Sequence, residues 1–466
     1  MKTAICQFKT SEDEKSGPEL DLPLDINPQQ LQVLINDILR QEEELPYSFY
    51  VNDFEIEKTL DQTLSKNEIS TEQVVQIVYQ PQSIFKVRSV TRCTSTLPGH
   101  TEAILNVNFG PKGRSLASGS GDTTVRLWDL NTQTPLKVLK AHSNWVLFVC
   151  FSPDGKRLAT GCMDGKVNIW DPFTGEQLID TLSSHRKWIT YIAWEPFHQN
   201  PKCNHLATAS KDCTVRVWNV DTGDCKFILA GHKSSITCVK WGGEGLIYTA
   251  SQDRTIKVWS AKNGKFLKSL EEHGHWVNTM ALNTDFVLRT GPYDHTMPNF
   301  KSDKDAQKCA LKRYDEVKGK ESEYLVTGSD DFTMFLWQPK KKRTSIKRMI
   351  GHRQLINQVC FSPNGRIIAS ASFDKSIKLW DGKTGNFLCT LFGHVGPVYQ
   401  VSFSSDSRLL VSSSKDSTVK VWDIKTKKLK NDLPGHLDEV FAVDFSPDGQ
   451  SVASGSKDRL LKIWKN

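Results

Sequence analysis

Several things are missing from this 466-residue chain, and each absence removes a class of function. No apolar run approaches the roughly 20 residues needed to cross a bilayer, which predicts a protein with no membrane partner. The first ten residues, Met-Lys-Thr-Ala-Ile-Cys-Gln-Phe-Lys-Thr, alternate apolar with polar and lack the apolar core of a secretion signal. The eleven cysteines contain no C-x-x-C pair, and Cys150, Cys238 and Cys360 fall inside strand-like runs. The expectation is reduced thiols in an intracellular protein, with neither a zinc site nor any intrinsic cofactor. No nucleophile–base pair stands outside the repeated pattern described next, so catalysis is not expected.

What the chain has in abundance is one pattern, eight times over. A His is followed by a Ser or Thr, an Asp four residues later, and a Trp six residues beyond that Asp. The first two sets are His100, Ser118, Asp122, Trp128 and His142, Thr160, Asp164, Trp170; the last ends at Trp464. Most Trp-to-Trp steps are about 42 residues, the period of a propeller blade. Between markers lie short alternating runs closed by Pro-Asp-Gly or Thr-Gly turns, which predicts four strands per unit, the second unit ending in a run over residues 176–179. A catalytic triad is needed once, whereas this set recurs with a Trp attached. A buried indole N–H and a buried carboxylate both need partners, so the tetrads are predicted to be hydrogen-bonded scaffold. Since the chain stops two residues after Trp464, the strand-like residues 84–90, within a closing segment 83–95, are expected to complete the last blade. The fold class predicted is therefore mainly β: an eight-bladed propeller over 83–466, preceded by a small α+β domain over 1–82.

Charge divides along the same line. Residues 1–80 hold 6 Lys/Arg against 16 Asp/Glu, and the remainder holds 54 against 37. That asymmetry fits either two partners of opposite charge, nucleic acid for the basic part, or ordinary solubilising charge. In the acidic head, residues 3–8 and 19–24 read as a hairpin. Asn27-Pro28 offers a helix start, Leu31, Leu34 and Ile38 lie on one helical face, and residues 48–51 and 74–79 are further strands. The order ββαββ is that of a ubiquitin-like β-grasp domain.

Three features break the repeat. Trp145, Trp188 and Trp276 share one position, three residues after the repeat His, where an indole either packs on the neighbouring blade or is exposed for a partner. The fifth unit carries an insertion over about 285–322, with a helical stretch from Asp303 that Ser302 caps. In the same unit Lys340, Lys341, Lys342 and Arg343 form a basic loop, readable as a nuclear-import signal, an RNA-phosphate contact or a solvated turn.

These elements together, with Gly-Ser-Gly-Asp-Thr-Thr (119–124), His-Trp-Val-Asn-Thr-Met-Ala-Leu (275–282) and Ala-Ser-Phe-Asp-Lys-Ser-Ile-Lys-Leu-Trp-Asp-Gly (371–382), closely resemble the Notchless family of WD40 proteins with a ubiquitin-like head. The resemblance spans nearly the whole chain. It implies a nuclear and nucleolar assembly factor of the large (60S) ribosomal subunit, acting as a single copy, whose propeller docks on ribosomal RNA and protein of the pre-ribosome. It implies further that midasin, an AAA-type ATPase, grips the head. There a carboxylate, matching Glu72 with Glu68 as the neighbouring competitor, completes the coordination of a Mg²⁺ held by midasin's adhesion domain. Rival readings are a seven-bladed sibling factor, a ubiquitin-ligase substrate receptor and a Notch-pathway signalling scaffold. Eight complete tetrads oppose the first, and the absence of Arg three residues after any repeat Trp opposes the second.

Overall fold

The protein is described from a computed structural model, covering residues 3–10, 15–39, 47–52, 54–56, 58–66, 74–81 and 87–466. It divides into two compact units, Met1–Lys86 and Val87–Asn466. Among the described residues no helix is long and apolar enough to cross a membrane.

In the first unit β1 (Thr3–Lys9) and β2 (Lys15–Pro23) form the hairpin. Helix α1 (Pro28–Leu39) follows, then β3 (Tyr47–Val51), β4 (Phe54–Glu55), α2 (Leu60–Lys66) and β5 (Val75–Pro81). The sheet order is β2-β1-β5-β3-β4, with β1 and β5 parallel in its middle. Asn27 caps α1 reciprocally: Gln30 N–H donates to Asn27 Oδ1 (2.9 Å), and Asn27 N–H donates to Gln30 Oε1 (3.0 Å). The helix then turns Leu31 and Ile35 onto Phe8, Phe49 and Ile77 of the sheet, all essentially inaccessible to water. The short strand β4 and helix α2 carried no sequence signal above that of the intervening loops.

The second unit holds eight antiparallel sheets among the described residues. Their innermost strands run from Ile104–Phe109 in the first sheet to Val440–Phe445 in the eighth. Each packs on the next, and the eighth returns to the first. Polar side chains stitch these neighbours: Asn106 Oδ1 accepts from Val149 N, Thr237 Oγ1 donates to Val277 O, and Gln400 Oε1 accepts from Val443 N.

Two departures from the sequence reading concern outer strands. The strand closing the eighth sheet is β6, Arg92–Leu97, not residues 84–90: Leu97 pairs with Leu461 and Arg92 with Lys465. Residues 84–86 lie outside the described set, and Val87–Val90 form no strand. The reason is register. In each complete sheet the outer strand brings a buried apolar residue three positions before the repeat His, as Leu139 precedes His142 and Leu433 precedes His436. Leu97 stands in that place before His100. Residues 87–91 instead tie the seventh and eighth sheets together: Val87 N–H donates to Asp406 (2.9 Å), Ser89 Oγ to Asn431 (2.5 Å) and Thr91 N–H to Lys465 O (3.0 Å).

The second sheet has three strands, not four. Residues 176–182 form no strand there and meet its edge at the bridges Trp170↔Gln177 and Val167↔Leu182, with Leu178 N–H donating to Ile169 O (2.9 Å) and Asp171 N–H to Glu176 O (2.9 Å). The connection from Trp170 to His185 is one residue longer than in most units, and Gln177 folds its amide back onto Ile179 O (2.8 Å) and Thr181 Oγ1 (3.2 Å).

Candidate functional site

The tetrads form one circuit repeated around the ring. His100 bonds Asp122 through Nδ1 (2.8 Å) and Ser118 Oγ through Nε2 (2.8 Å), and the Trp128 indole N–H donates to the same Ser118 Oγ (2.8 Å). Burial alone would raise the Asp122 carboxyl. The hydrogen bonds from His100 and Thr124 outweigh it and hold the group well below the usual carboxylate range. The same links recur through His185–Asp212, His232–Asp253, His273–Asp331, His352–Asp374, His394–Asp416 and His436–Asp458.

The second tetrad is broken, contrary to expectation. His142 bonds Thr160 (2.7 Å) and Trp170 donates to Thr160 (2.9 Å), but Asp164 turns away to Ser143 and Cys162. Seven sheets have Ser two positions before the Asp, accepting its backbone N–H; here the residue is Cys162, whose larger sulfur displaces the carboxylate. Burial without that carboxylate pushes His142 down to about 4, so it is neutral. His142, Cys162 and Asp164 place one nitrogen, one sulfur and one oxygen within 4.8 Å of one another, donors of metal-ligand type. The hydrogen bonds among Asp164, Cys162 and Ser143, with Lys166 Nζ 3.6 Å away, already occupy that carboxylate.

The residues that break the repeat fall on two edges of the ring. On the edge carrying the repeat His and Asp, Trp145, Trp188 and Trp276 are 49%, 37% and 45% exposed. Trp188 lies under the Lys211 ammonium, 3.6 Å from the ring centroid, and Trp276 lies beside His275. Trp194 and Trp241 are buried in inner strands.

The other edge carries the insertion. Helix α3 (Asp285–Thr290) spans the inner strands: Asp285 pairs with Lys240 of the fourth sheet (2.9 Å), while Arg289 grips Asp444 of the eighth and donates to Phe109 O of the first (3.1 Å). Helix α4 (Asp303–Lys318) begins at Ser302, whose Oγ accepts from Asp305 N–H. It buries Ala306, Ala310 and Tyr314, and the Tyr314 ring stacks on His198 of the third sheet at 4.4 Å. The basic loop is partly neutralised: Lys340 reaches Glu244 (3.2 Å) and Lys341 reaches Glu321 (3.8 Å), whereas Lys342 and Arg343 are exposed.

At the foot of the insertion Glu323, 1% exposed, was not singled out by any motif. Its Oε1 accepts from Gly243 N–H and Thr284 Oγ1 (both 2.8 Å). Its Oε2 lies beside the buried hydroxyls of Tyr248 and Tyr314. Burial, with Glu244 adding to it, pushes this carboxyl up to about 7. A folded value above the ordinary 4.5 means that the folded chain holds the proton more tightly. Stability from this group is therefore full below pH 4.5 and is lost as pH rises through 7. Glu323→Gln should remove roughly 2–3 kcal/mol of pH-dependent loss between pH 5 and 8. Urea midpoints at those two pH values test it; identical pH slopes for wild type and variant rule it out. Glu72, with Glu68, lies outside the described residues.

Comparison with known proteins bears on these surfaces. Residues 4–64 match the NLE (NUC135) domain. Residues 91–129, 133–171, 176–219, 223–260, 343–381, 385–423 and 427–465 match the WD domain, G-beta repeat. The chain is 52% identical over 359 residues to Protein Notchless of Drosophila melanogaster, covering 76% of this chain and 73% of that one. It is 54% identical over 387 residues to the Notchless protein homolog of Arabidopsis thaliana, covering 83% and 82%. To Ribosome assembly protein 4 of Saccharomyces cerevisiae it is 46% identical over 397 residues, covering 80% and 76%. Among solved structures, the computationally designed Ika8 protein superposes with a TM-score of 0.63 at 26% identity, covering 80% of this chain and all of that one.

Proposed function

The chain belongs to the Notchless family, an NLE head followed by WD40 repeats, and on that premise we propose that it is a non-catalytic assembly factor of the large ribosomal subunit. One observation carries this reading: the 46% identity to a protein named for ribosome assembly extends over 80% of the chain. The eight sheets act as blades of one closed propeller, and the head as a ubiquitin-like β-grasp module. The cyclic packing of inner strands and the head's β2-β1-β5-β3-β4 order support those two assignments. The propeller docks on the pre-60S particle in the nucleolus and nucleus.

The head is held by midasin through Glu72. This residue falls between α2, which ends at Lys66, and β5, which starts at Val75. A hard oxygen ligand that also carries charge suits a Mg²⁺ with an open coordination position. ATP-driven traction on the head then releases the factor or remodels what lies beneath it. With Mg²⁺ present, Glu72→Ala in the full chain should weaken binding to midasin's isolated adhesion domain at least roughly 100-fold, the upper end of what outer-shell changes at metal sites cost. Glu72→Asp, which keeps the charge and shortens the reach, should weaken it less. Undiminished binding by both variants refutes the role of Glu72. Absence of the chain from sedimenting pre-60S particles refutes the assembly reading and favours a signalling scaffold.

A further inference from the structure

The edge that carries the repeat His and Asp is not uniformly charged. Across the third and fourth sheets Arg186, Lys187, Lys233 and Arg254 are exposed, and among the described residues none of them meets a carboxylate in an ion pair. The two Asp residues of that sector are committed elsewhere: Asp212 to His185 and the Arg186 backbone N–H, Asp253 to His232 and the Lys233 backbone N–H. The seventh and eighth sheets differ. There Lys415 faces Glu439 (3.7 Å) and Lys457 faces Asp438 (3.5 Å), so those cations are internally compensated.

Two exposed indoles adjoin the uncompensated cations. Trp188 belongs to the same sector, with Lys211 over its ring. Trp145 belongs to the second sheet, whose inner strand packs against that of the third. Unpaired cations call for a polyanion. A large exposed ring beside them calls for a flat apolar partner, because leaving an indole in water forgoes most of its contact energy. An acidic protein surface answers the charge but not the rings, and a double helix hides its base faces inside the stack. An unpaired polynucleotide presents phosphates and base faces together.

We propose that the Trp145–Trp188 edge of the second to fourth sheets binds an unpaired stretch of RNA, its bases stacked on the indoles and its phosphates against Arg186, Lys187, Lys233 and Arg254. The choice of RNA over single-stranded DNA rests on the assembly-factor reading; the stacking and charge argument does not.

The test is fluorescence anisotropy of the full chain with a short, unstructured, labelled RNA over a range of salt. Trp188→Ala should weaken binding about 5- to 150-fold, the range for losing one stacked base, and Trp188→Phe should retain most of it. Lys187→Gln and Lys233→Gln should each lower the salt slope by about 0.7. Lys342→Gln on the opposite edge should change neither. Unchanged affinity for Trp188→Ala overturns the proposal. So does duplex RNA binding as tightly as the single strand, or polyglutamate displacing the RNA at equal charge, which would mark an acidic-protein site. RNA binding that persists in a chain that does not sediment with pre-60S particles overturns the assembly reading and leaves this one standing.

Discussion

A chain beginning at Gly99 should lose on the order of 3–5 kcal/mol from its second unit relative to one beginning at Val87. The cut removes β6, and with it the outer strand of the eighth sheet. Leu97 is 5% exposed, and burying a Leu contributes about 2 kcal/mol. The ladder from Arg92/Lys465 to Leu97/Leu461 goes too, along with the bonds Thr94 Oγ1 to Ile463 O (3.1 Å) and Lys462 Nζ to Thr96 Oγ1 (3.0 Å), each worth about 1 kcal/mol net. What remains is an open edge at Leu461–Lys465, a template for pairing with another chain. Scanning calorimetry of the second unit's transition, with light scattering, checks both effects. Matching transitions for the two start points, without concentration-dependent association, contradict the assignment of β6 as the closing strand.

Asp444→Ala should be nearly as costly, about 3 kcal/mol, because it strands a cation that the fold has drawn in from solvent. Arg289 donates to both Asp444 oxygens (Nη1 to Oδ1, 2.9 Å), and the carboxylate also accepts from the Phe109 backbone N–H (2.9 Å). The Asp444 side chain is 7% exposed and that of Arg289 27%, so water offsets part of the loss and the value stands at the low end for a buried pair. Asp444→Asn keeps an acceptor for Phe109 and should cost less. Arg289→Met leaves the more deeply buried Asp444 carboxylate without its counter-ion, held by the Phe109 N–H, and should cost about as much as Asp444→Ala. Urea midpoints rank the three variants. Hydrogen exchange across α3 then shows whether the helix detaches before the sheets open. Wild-type midpoints for all three leave the bridge without energetic weight.

How much of this was legible in the sequence depends on how far apart the interacting residues lie. The tetrads were legible because Asp and Trp are separated by a fixed six residues within one hairpin, and the Ser302 cap because it acts three residues away. The closing strand was placed too early because residues 84–90 look more strand-like than Arg-Cys-Thr-Ser-Thr-Leu. The deciding signal was a single Leu three positions before His100. Asp164 misled because its own position conforms; the cause lies at Cys162, where the other seven repeats have Ser. The Arg289–Asp444 and Glu323–Gly243 contacts, 155 and 80 residues apart, leave no local period to read. For the rim tryptophans the sequence position leaves two outcomes open, and all three rings are exposed.

The position of β6 also sets an order of events during synthesis. Thr94 bonds Ile463, 369 residues later, so at typical elongation rates of about 5–20 residues per second the first-made strand waits roughly 20–70 s for its partner. Each other sheet draws its strands from one continuous stretch and can fold as it emerges. The eighth cannot, and until it does Leu97 and the flank of the first sheet stay uncovered. Nascent chains are thus most vulnerable at the seam, and a holdase that covers β6 would act on the one step that translation itself delays.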